Sequence, residues 1–160
     1  MTQPSAATPR IVGTVRGPIS VVDEGQGPAL LLVHGMPGSV RDFRWLTPHL
    51  RAHFRCVRVD LPGFGGTPAA VGRGHSTEAH AEFLAALLDA LSLRRVLLLG
   101  HSVGGAIALA MAATRPERVR ALAMLAAPGV RPHRAWRGAH PRVTSTLLRL
   151  PVFGGLMLPA

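Results

Sequence analysis

Short apolar runs separated by glycine-rich turns recur along the chain. Four of them predict β-strands, at residues 29–33, 54–59, 95–100 and 119–126. The first is apolar throughout, which is typical of a strand in a sheet that is covered on both faces. Two shorter β-type runs precede these strands, at 11–16 and 19–23, and Gly17-Pro18 between them predicts a hairpin turn.

Segments with helical periodicity lie between the predicted strands, at residues 40–52, 81–91 and 103–114. Thr77 predicts an N-cap ahead of the second segment. Because strands and helices alternate, we expect an α/β fold with a mostly parallel, doubly wound sheet, right-handed crossovers and helices on both faces.

Residues that could take part in catalysis directly follow three of the predicted strands. His34-Gly35 follows the first, Asp60 follows the second and Ser102 follows the third. The carboxyl ends of parallel strands meet at one edge of a sheet, where ligands bind, so we expect these residues to converge there. Asp60 could be mistaken for a catalytic acid, but it precedes the serine and has no histidine to orient. It is therefore interpreted as a cap for the glycine-rich loop that it opens.

The sequence Gly100-His101-Ser102-Val103-Gly104 joins an apolar strand to a helix rich in small residues. Gly-x-Ser-x-Gly at such a junction predicts a nucleophile elbow, a strained turn that lifts the serine hydroxyl above the sheet. Small residues two positions on either side are expected, because a serine backbone at positive φ leaves no room for larger ones. The helix begins directly after the serine, so its first N–H groups point at whatever the serine attacks.

Composition excludes several classes of function. The 160 residues are 48% hydrophobic, which predicts one globular domain. The net charge of +10 comes from 18 basic residues, all arginine, against eight acids. These arginines are scattered without interleaved aromatic residues, so they do not predict a nucleic-acid surface. Asp23 and Glu24 are interpreted as solvated turn charges.

Membrane, metal and disulfide sites are not predicted. The apolar run at 96–113 is long enough to cross a bilayer, but a glycine-rich turn divides it into strand and helix. The N-terminus lacks the pattern of a signal peptide. A single cysteine, Cys56, fits a packed thiol in a reducing compartment, and we expect a cytoplasmic protein. His75 and His80 have no third ligand at metal-site spacing.

Four motifs follow one another in a fixed order. They read Val-His-Gly-Met-Pro-Gly at 33–38, Asp-Leu-Pro-Gly-Phe-Gly at 60–65, Gly-His-Ser-Val-Gly-Gly at 100–105 and Arg-Pro-Glu-Arg-Val at 115–119. Together they resemble the α/β-hydrolase superfamily, and most of all its serine branch with haloperoxidase-like, C–C hydrolase and esterase-like members. The resemblance covers about residues 11–130. A serine at position 102 argues against the dehalogenase and epoxide hydrolase branches, which carry an aspartate there.

The resemblance implies hydrolysis of a small, largely apolar ester or a related acyl or C–C substrate, without metal or organic cofactor. It implies that Ser102 is the nucleophile and that the backbone N–H groups of Met36 and Val103 form the oxyanion hole. Structural support would come from His34, Gly35, Gly100, His101, Gly104 and Asp60. A neutral serine also needs a base to take its proton, and these residues do not supply one.

The family's order is serine, then an acid, then histidine. After Glu117 the sequence has no aspartate or glutamate, and the only later histidines are His133 and His140. Both lie in residues 131–160, which resemble the start of a lid, so neither is favoured as the base. We expect a fragment of a hydrolase rather than a complete protein that lost its triad, and little triad-dependent activity in either case.

A different class of function stays open beside the hydrolase. The chain would then be a catalytically dead module that holds a small carbonyl ligand without turnover, or a fragment without function. The expected organisation is a loose N-terminal tail at 1–10, a hydrolase core at 11–130 and the start of a lid at 131–160.

Overall fold

The computed structural model describes residues 3–69 and 76–127. Within these ranges six strands form one sheet, in the order β1-β2-β4-β3-β5-β6. The strands are β1 (Arg10–Thr14), β2 (Gly17–Glu24), β3 (Ala29–Val33), β4 (Arg55–Val59), β5 (Val96–His101) and β6 (Val119–Leu125). β1 and β2 pair antiparallel, β2 pairs antiparallel with β4, and all other pairings are parallel. The predicted α/β fold with a mostly parallel sheet is confirmed.

Helices α2 (Thr77–Ala90) and α3 (Val103–Thr114) pack on one face of the sheet. Their apolar side chains, including Leu84 and Ile107, form the main core with alternate strand residues such as Leu31 and Leu98. The other face has a smaller core, formed by Leu30, Leu32, Phe43 and Cys56. It is covered by a 3-10 turn (Val40–Phe43) and the short helix α1 (Thr47–Leu50).

The single helix predicted at 40–52 is wrong. Ser39 begins the 3-10 turn as a capping box, in which its hydroxyl accepts from the Arg41 N–H and the Asp42 carboxylate accepts from the Ser39 N–H. Pro48 then lies in the first turn of α1. Proline has no N–H to donate to the preceding turn, so it starts a new helix instead of continuing an old one.

Two local details also differ from the predictions. The hairpin turn consists of Val15-Arg16, because Gly17 already pairs with Thr14 in the ladder. The Thr14 hydroxyl closes this turn by accepting from Arg16 N–H and donating to the Gly17 carbonyl. The N-cap of α2 is Ser76, whose hydroxyl accepts from the Ala79 N–H.

The acids at the end of β2 are not solvated turn charges. The Glu24 side chain is only 8% exposed, and it pairs at 2.8 Å with Arg58, whose side chain is 2% exposed. Asp23 pairs with Arg55 and Arg10. The Ser5 hydroxyl donates to the Glu24 carboxylate, so the segment expected to be a loose tail is attached to the sheet at Ser5.

Replacing Asp23 should make the stability of the protein less sensitive to acid. The Arg55 guanidinium, which donates to both Asp23 oxygens at 2.9 and 2.8 Å, holds the pKa of Asp23 below its usual value against the opposing effect of burial. A carboxyl with a lowered folded-state pKa stabilises the fold above its unfolded pKa of about 4, and this stabilisation disappears as the pH falls through the folded value.

We therefore expect the thermal midpoint of Asp23→Asn to fall less steeply below pH 4 than that of the wild type. The measurement is thermal unfolding between pH 3 and pH 7. Asp89→Asn is the matched control, since the Asp89 side chain is 67% exposed. Parallel curves for wild type and Asp23→Asn would contradict the prediction.

Across the described ranges, helices are too short or too polar for a transmembrane span. The apolar run that raised the question divides into β5 and α3 at Ser102, as predicted.

Candidate active site

The turn between β5 and α3 is strained at Ser102. Its backbone has φ 51° and ψ −124°, and α3 begins at the next residue. The Ser102 N–H donates to the Leu125 carbonyl at 2.9 Å, and the Ser102 carbonyl accepts from the Gly105 N–H at 2.9 Å. A non-glycine residue at positive φ costs free energy that the surrounding structure must supply. The strained strand-to-helix turn expected from the motif is present.

The glycines on either side of Ser102 allow close backbone packing. A Cβ on Gly104 would overlap the main-chain carbonyls of Val33 and His34, at the end of β3. A Cβ on Gly100 would overlap the backbone of Gly104. Small residues are therefore required at both positions, because a side chain would overlap backbone atoms. At Gly104 these atoms belong to the end of β3, with which the start of α3 is in direct contact.

The loop of residues 35–40 starts beside the serine, and it is called the oxyanion loop below after the role that the resemblance implies for Met36. A Cβ built on Gly35 would lie 3.0 Å from Ser102 Cβ and 3.2 Å from His101 Nδ1. Met36, the next residue, is 38% exposed. Gly35 thus lets the loop backbone approach the elbow, and a side chain there would push the two apart.

His34 fastens the start of the oxyanion loop and is fully buried. Its Nε2 accepts from the Leu61 N–H at 3.0 Å, so the ring proton is on Nδ1, which lies 2.6 Å from the Gly35 carbonyl and donates to it. The ring also packs edge-on against Phe64. Both nitrogens are occupied, so His34 holds the loop and is not available as a base.

Asp60 fastens two loops at once and is 1% exposed. Its carboxylate accepts from the Gly66 N–H at 2.9 Å, within the glycine-rich loop that follows β4. The other oxygen accepts from the Val40 N–H at 2.7 Å, at the end of the oxyanion loop. Asp60 therefore caps its own loop, as interpreted, and also binds the neighbouring one.

The described residues bring no base to Ser102. Neither its hydroxyl nor the exposed ring of His101 hydrogen-bonds to another residue within 3–69 and 76–127. Those ranges also hold no group of three histidines, cysteines or acids able to bind a metal. His75, His133 and His140, and the segment 131–160 interpreted as a lid, lie outside them.

Sequence reasoning missed Arg58, which lies behind the oxyanion loop. Its Nη1 donates to the Val40 carbonyl at 3.1 Å, while Nη2 donates to Glu24. Burial lowers the pKa of Arg58, and the negative charge of Glu24 opposes this shift. The sequence did contain a signal for it: Arg58 lies two positions after Cys56 in β4, so the arginine shares its face of the sheet with a core residue.

Comparison with known proteins shows the family. A family model described as alpha/beta hydrolase fold matches residues 28–148. The chain is 40% identical over 109 residues to haloalkane dehalogenase 2 of Mycobacterium tuberculosis, covering 68% of this chain and 38% of that protein. It is 43% identical over 111 residues to 2-hydroxy-6-oxo-2,4-heptadienoate hydrolase of Pseudomonas putida, covering 68% and 40%.

A solved structure agrees. The crystal structure of a bacterial membrane phospholipase A superposes with a TM-score of 0.75 at 32% identity, over 80% of this chain and 42% of that one. The chain thus spans about two fifths of the length of these relatives. The family-model match, the identities and the superposition agree with the motif order and the sheet, and the chain belongs to the α/β-hydrolase superfamily.

Proposed function

We propose that this chain carries the nucleophile and the oxyanion hole of a serine hydrolase. The observation that supports this best is Ser102 at positive φ, directly before α3 and in contact range of the backbone of Gly35. This arrangement presents a hydroxyl beside two sets of backbone N–H groups, those of the oxyanion loop and those at the start of α3.

The chemistry follows from the placement. In the intact triad, Ser102 Oγ would attack a substrate carbonyl and its proton would pass to the triad histidine, while the N–H groups of Met36 and Val103 donate to the oxyanion. The tetrahedral species collapses, the protonated leaving group departs and an acyl-serine remains, which water hydrolyses to the acid. Donors of this kind are each worth roughly 3–4 kcal/mol of transition-state stabilisation.

The substrate is proposed to be a small, largely apolar ester or a related acyl or C–C substrate. A serine at position 102 supports attack on a carbonyl, and the similar 2-hydroxy-6-oxo-2,4-heptadienoate hydrolase is named for a substrate that carries one. Hydrolysis by the intact triad requires an acid and a histidine, which the described residues do not bring to Ser102. Activity of the chain alone is accordingly proposed to be low.

A second candidate function is binding without turnover. It is favoured by the Ser102 hydroxyl, which makes no hydrogen bond to any residue within the described part of the chain. Such a hydroxyl, together with the loop N–H groups, would hold a small carbonyl ligand reversibly. Equilibrium binding of an ester that is recovered unchanged distinguishes this candidate from slow hydrolysis.

Loss of the hydroxyl should change turnover little. We expect Ser102→Ala to lower the hydrolysis of p-nitrophenyl butyrate less than tenfold, because a serine without its base adds little beyond the oxyanion donors. In an intact triad the serine is worth on the order of 10⁶ in kcat. The measurement is initial rates for both proteins at equal concentration. A loss above a hundredfold would show that a base does reach Ser102.

An adduct identifies the nucleophile independently of turnover. We expect an alkyl fluorophosphonate to modify Ser102 slowly and selectively, as located by peptide mass spectrometry, and Ser102→Ala to remain unmodified. Ser92 is a matched control within the same protein, since it also has positive φ, 55°, but precedes the amino end of β5. Modification of Ser92, or of no serine, would contradict the assignment.

A further inference from the structure

Both backbone polar groups of Val40, at the end of the oxyanion loop, are held by side chains from β4 and the residue that follows it. The Val40 N–H donates to Asp60 Oδ1 at 2.7 Å, and the Val40 carbonyl accepts from Arg58 Nη1 at 3.1 Å. These two charged side chains lie two positions apart and therefore point to the same face of the sheet. Val40 itself is buried.

Arg58 also binds two groups outside the oxyanion loop. Its Nη2 donates to Glu24 Oε1 at 2.8 Å and to Ser5 Oγ at 2.9 Å. Ser5 also donates through its backbone N–H to the Arg44 carbonyl, just beyond the 3-10 turn, at 2.7 Å. The guanidinium thus bridges β2 and the N-terminal segment to the oxyanion loop.

Stability alone is a poor explanation for this arrangement. A buried ion pair loses most of its Coulomb energy to desolvation, and apolar replacements of similar volume are often neutral or stabilising. Arg58 Nε is buried without a hydrogen-bond partner among the described residues, which adds to the cost. What the planar fork of arginine provides is direction, since one nitrogen faces Glu24 while the other faces Val40.

The loop between its two fixed ends is tightly folded. A Cβ on Gly38 would lie 2.6 Å from the Gly35 carbonyl oxygen and 2.9 Å from His34 Nδ1, both shorter than an allowed contact. The middle of the loop therefore lies against its own first residues. A shift at Val40 is expected to reach Met36, four residues earlier.

We propose that Arg58 is a positioning residue, which sets the Met36 N–H of the oxyanion loop by holding the Val40 carbonyl against the Glu24–Ser5 pair. The oxyanion role of Met36 rests on the function proposed above. The positioning itself does not, and it can be measured without substrate.

Arg58→Lys separates positioning from folding. A lysine keeps the charge opposite Glu24 but has a single nitrogen, which cannot also face Val40. In the full chain, we expect the thermal midpoint to change little and the amide resonances of Val40 and Met36 to shift in ¹⁵N–¹H spectra. Arg55→Lys is the matched control on the same strand: Arg55 pairs with Asp23, and its side chain is not bonded to the loop. It should leave both resonances in place.

The rate of adduct formation gives the second readout. We expect fluorophosphonate modification of Ser102 to slow about tenfold in Arg58→Lys and not in Arg55→Lys, because an oxyanion donor is displaced. If Arg58→Lys unfolds, the double variant Arg58→Met/Glu24→Gln, which removes both charges, should fold and show the same amide shifts.

The outcomes are distinguishable. Unchanged Met36 resonances in a folded Arg58 variant would overturn the positioning role, even if the thermal midpoint fell. Absence of any adduct on the wild-type protein would instead contradict the proposed function, and the resonance shifts would still decide the inference about Arg58.

Discussion

Gly104→Ala is expected to destabilise the protein by about 3 kcal/mol, in the upper range for a single methyl group added to a packed site. Helix propensity alone predicts the opposite sign, because alanine is about 1 kcal/mol better than glycine inside a helix. Steric overlap decides the outcome. The added Cβ would meet the carbonyls of Val33 and His34, which are backbone groups and cannot rotate away.

Urea unfolding followed by circular dichroism measures this effect as a lower midpoint at constant slope. Gly13→Ala is the matched control: it lies in β1, no atom is within 4 Å of a built Cβ, and its φ is not positive. That variant should change stability by less than about 1 kcal/mol, with a small gain from reduced freedom of the unfolded chain. Stabilisation by Gly104→Ala would show that α3 does not start against β3.

Asp60→Ala should cost about 3 kcal/mol for a different reason. Removing the carboxylate leaves the N–H groups of Val40 and Gly66 without their acceptor. A donor left unsatisfied away from water costs roughly 1–3 kcal/mol. Because one side chain holds two loops, both the oxyanion loop and the glycine-rich loop should loosen, which faster hydrogen exchange at these two amides would report.

Two variants calibrate that prediction. Asp60→Asn keeps one carbonyl oxygen and should recover about half of the loss. Asp42→Ala removes an exposed carboxylate near the same loop, which accepts from the Ser39 N–H at 3.3 Å, and should cost no more than about 1 kcal/mol. Equal losses for the Asp60 and Asp42 variants would contradict the double-clamp role of Asp60.

Features encoded over a few neighbouring residues were predictable from the sequence. The apolar run before Gly100 and the small residues after Ser102 specify strand, turn and helix within a dozen positions. The parallel sheet followed from the alternation of strands and helices, as did the meeting of His34, Asp60 and Ser102 at its edge. Local backbone chemistry determines each of these elements.

Features that depend on distant partners were not predictable. Glu24 is 34 residues from Arg58, and only the pairing of β2 with β4 brings the two together. From the sequence alone, each residue is expected to be a solvent-exposed charge. The false helix at 40–52 has a local origin instead, because its apolar spacing is suitable but Ser39 caps a separate 3-10 turn and Pro48 begins α1.

The contacts that fix the oxyanion loop have an implication for biosynthesis. Every hydrogen-bond partner described for its two ends lies between Ser5 and Leu61, whereas the elbow follows some forty residues later. A chain leaving the ribosome at about 5–20 residues per second exposes these partners several seconds before α3 is available. The loop proposed to bind the developing negative charge can thus be assembled during translation, and the serine then folds against a partly completed surface.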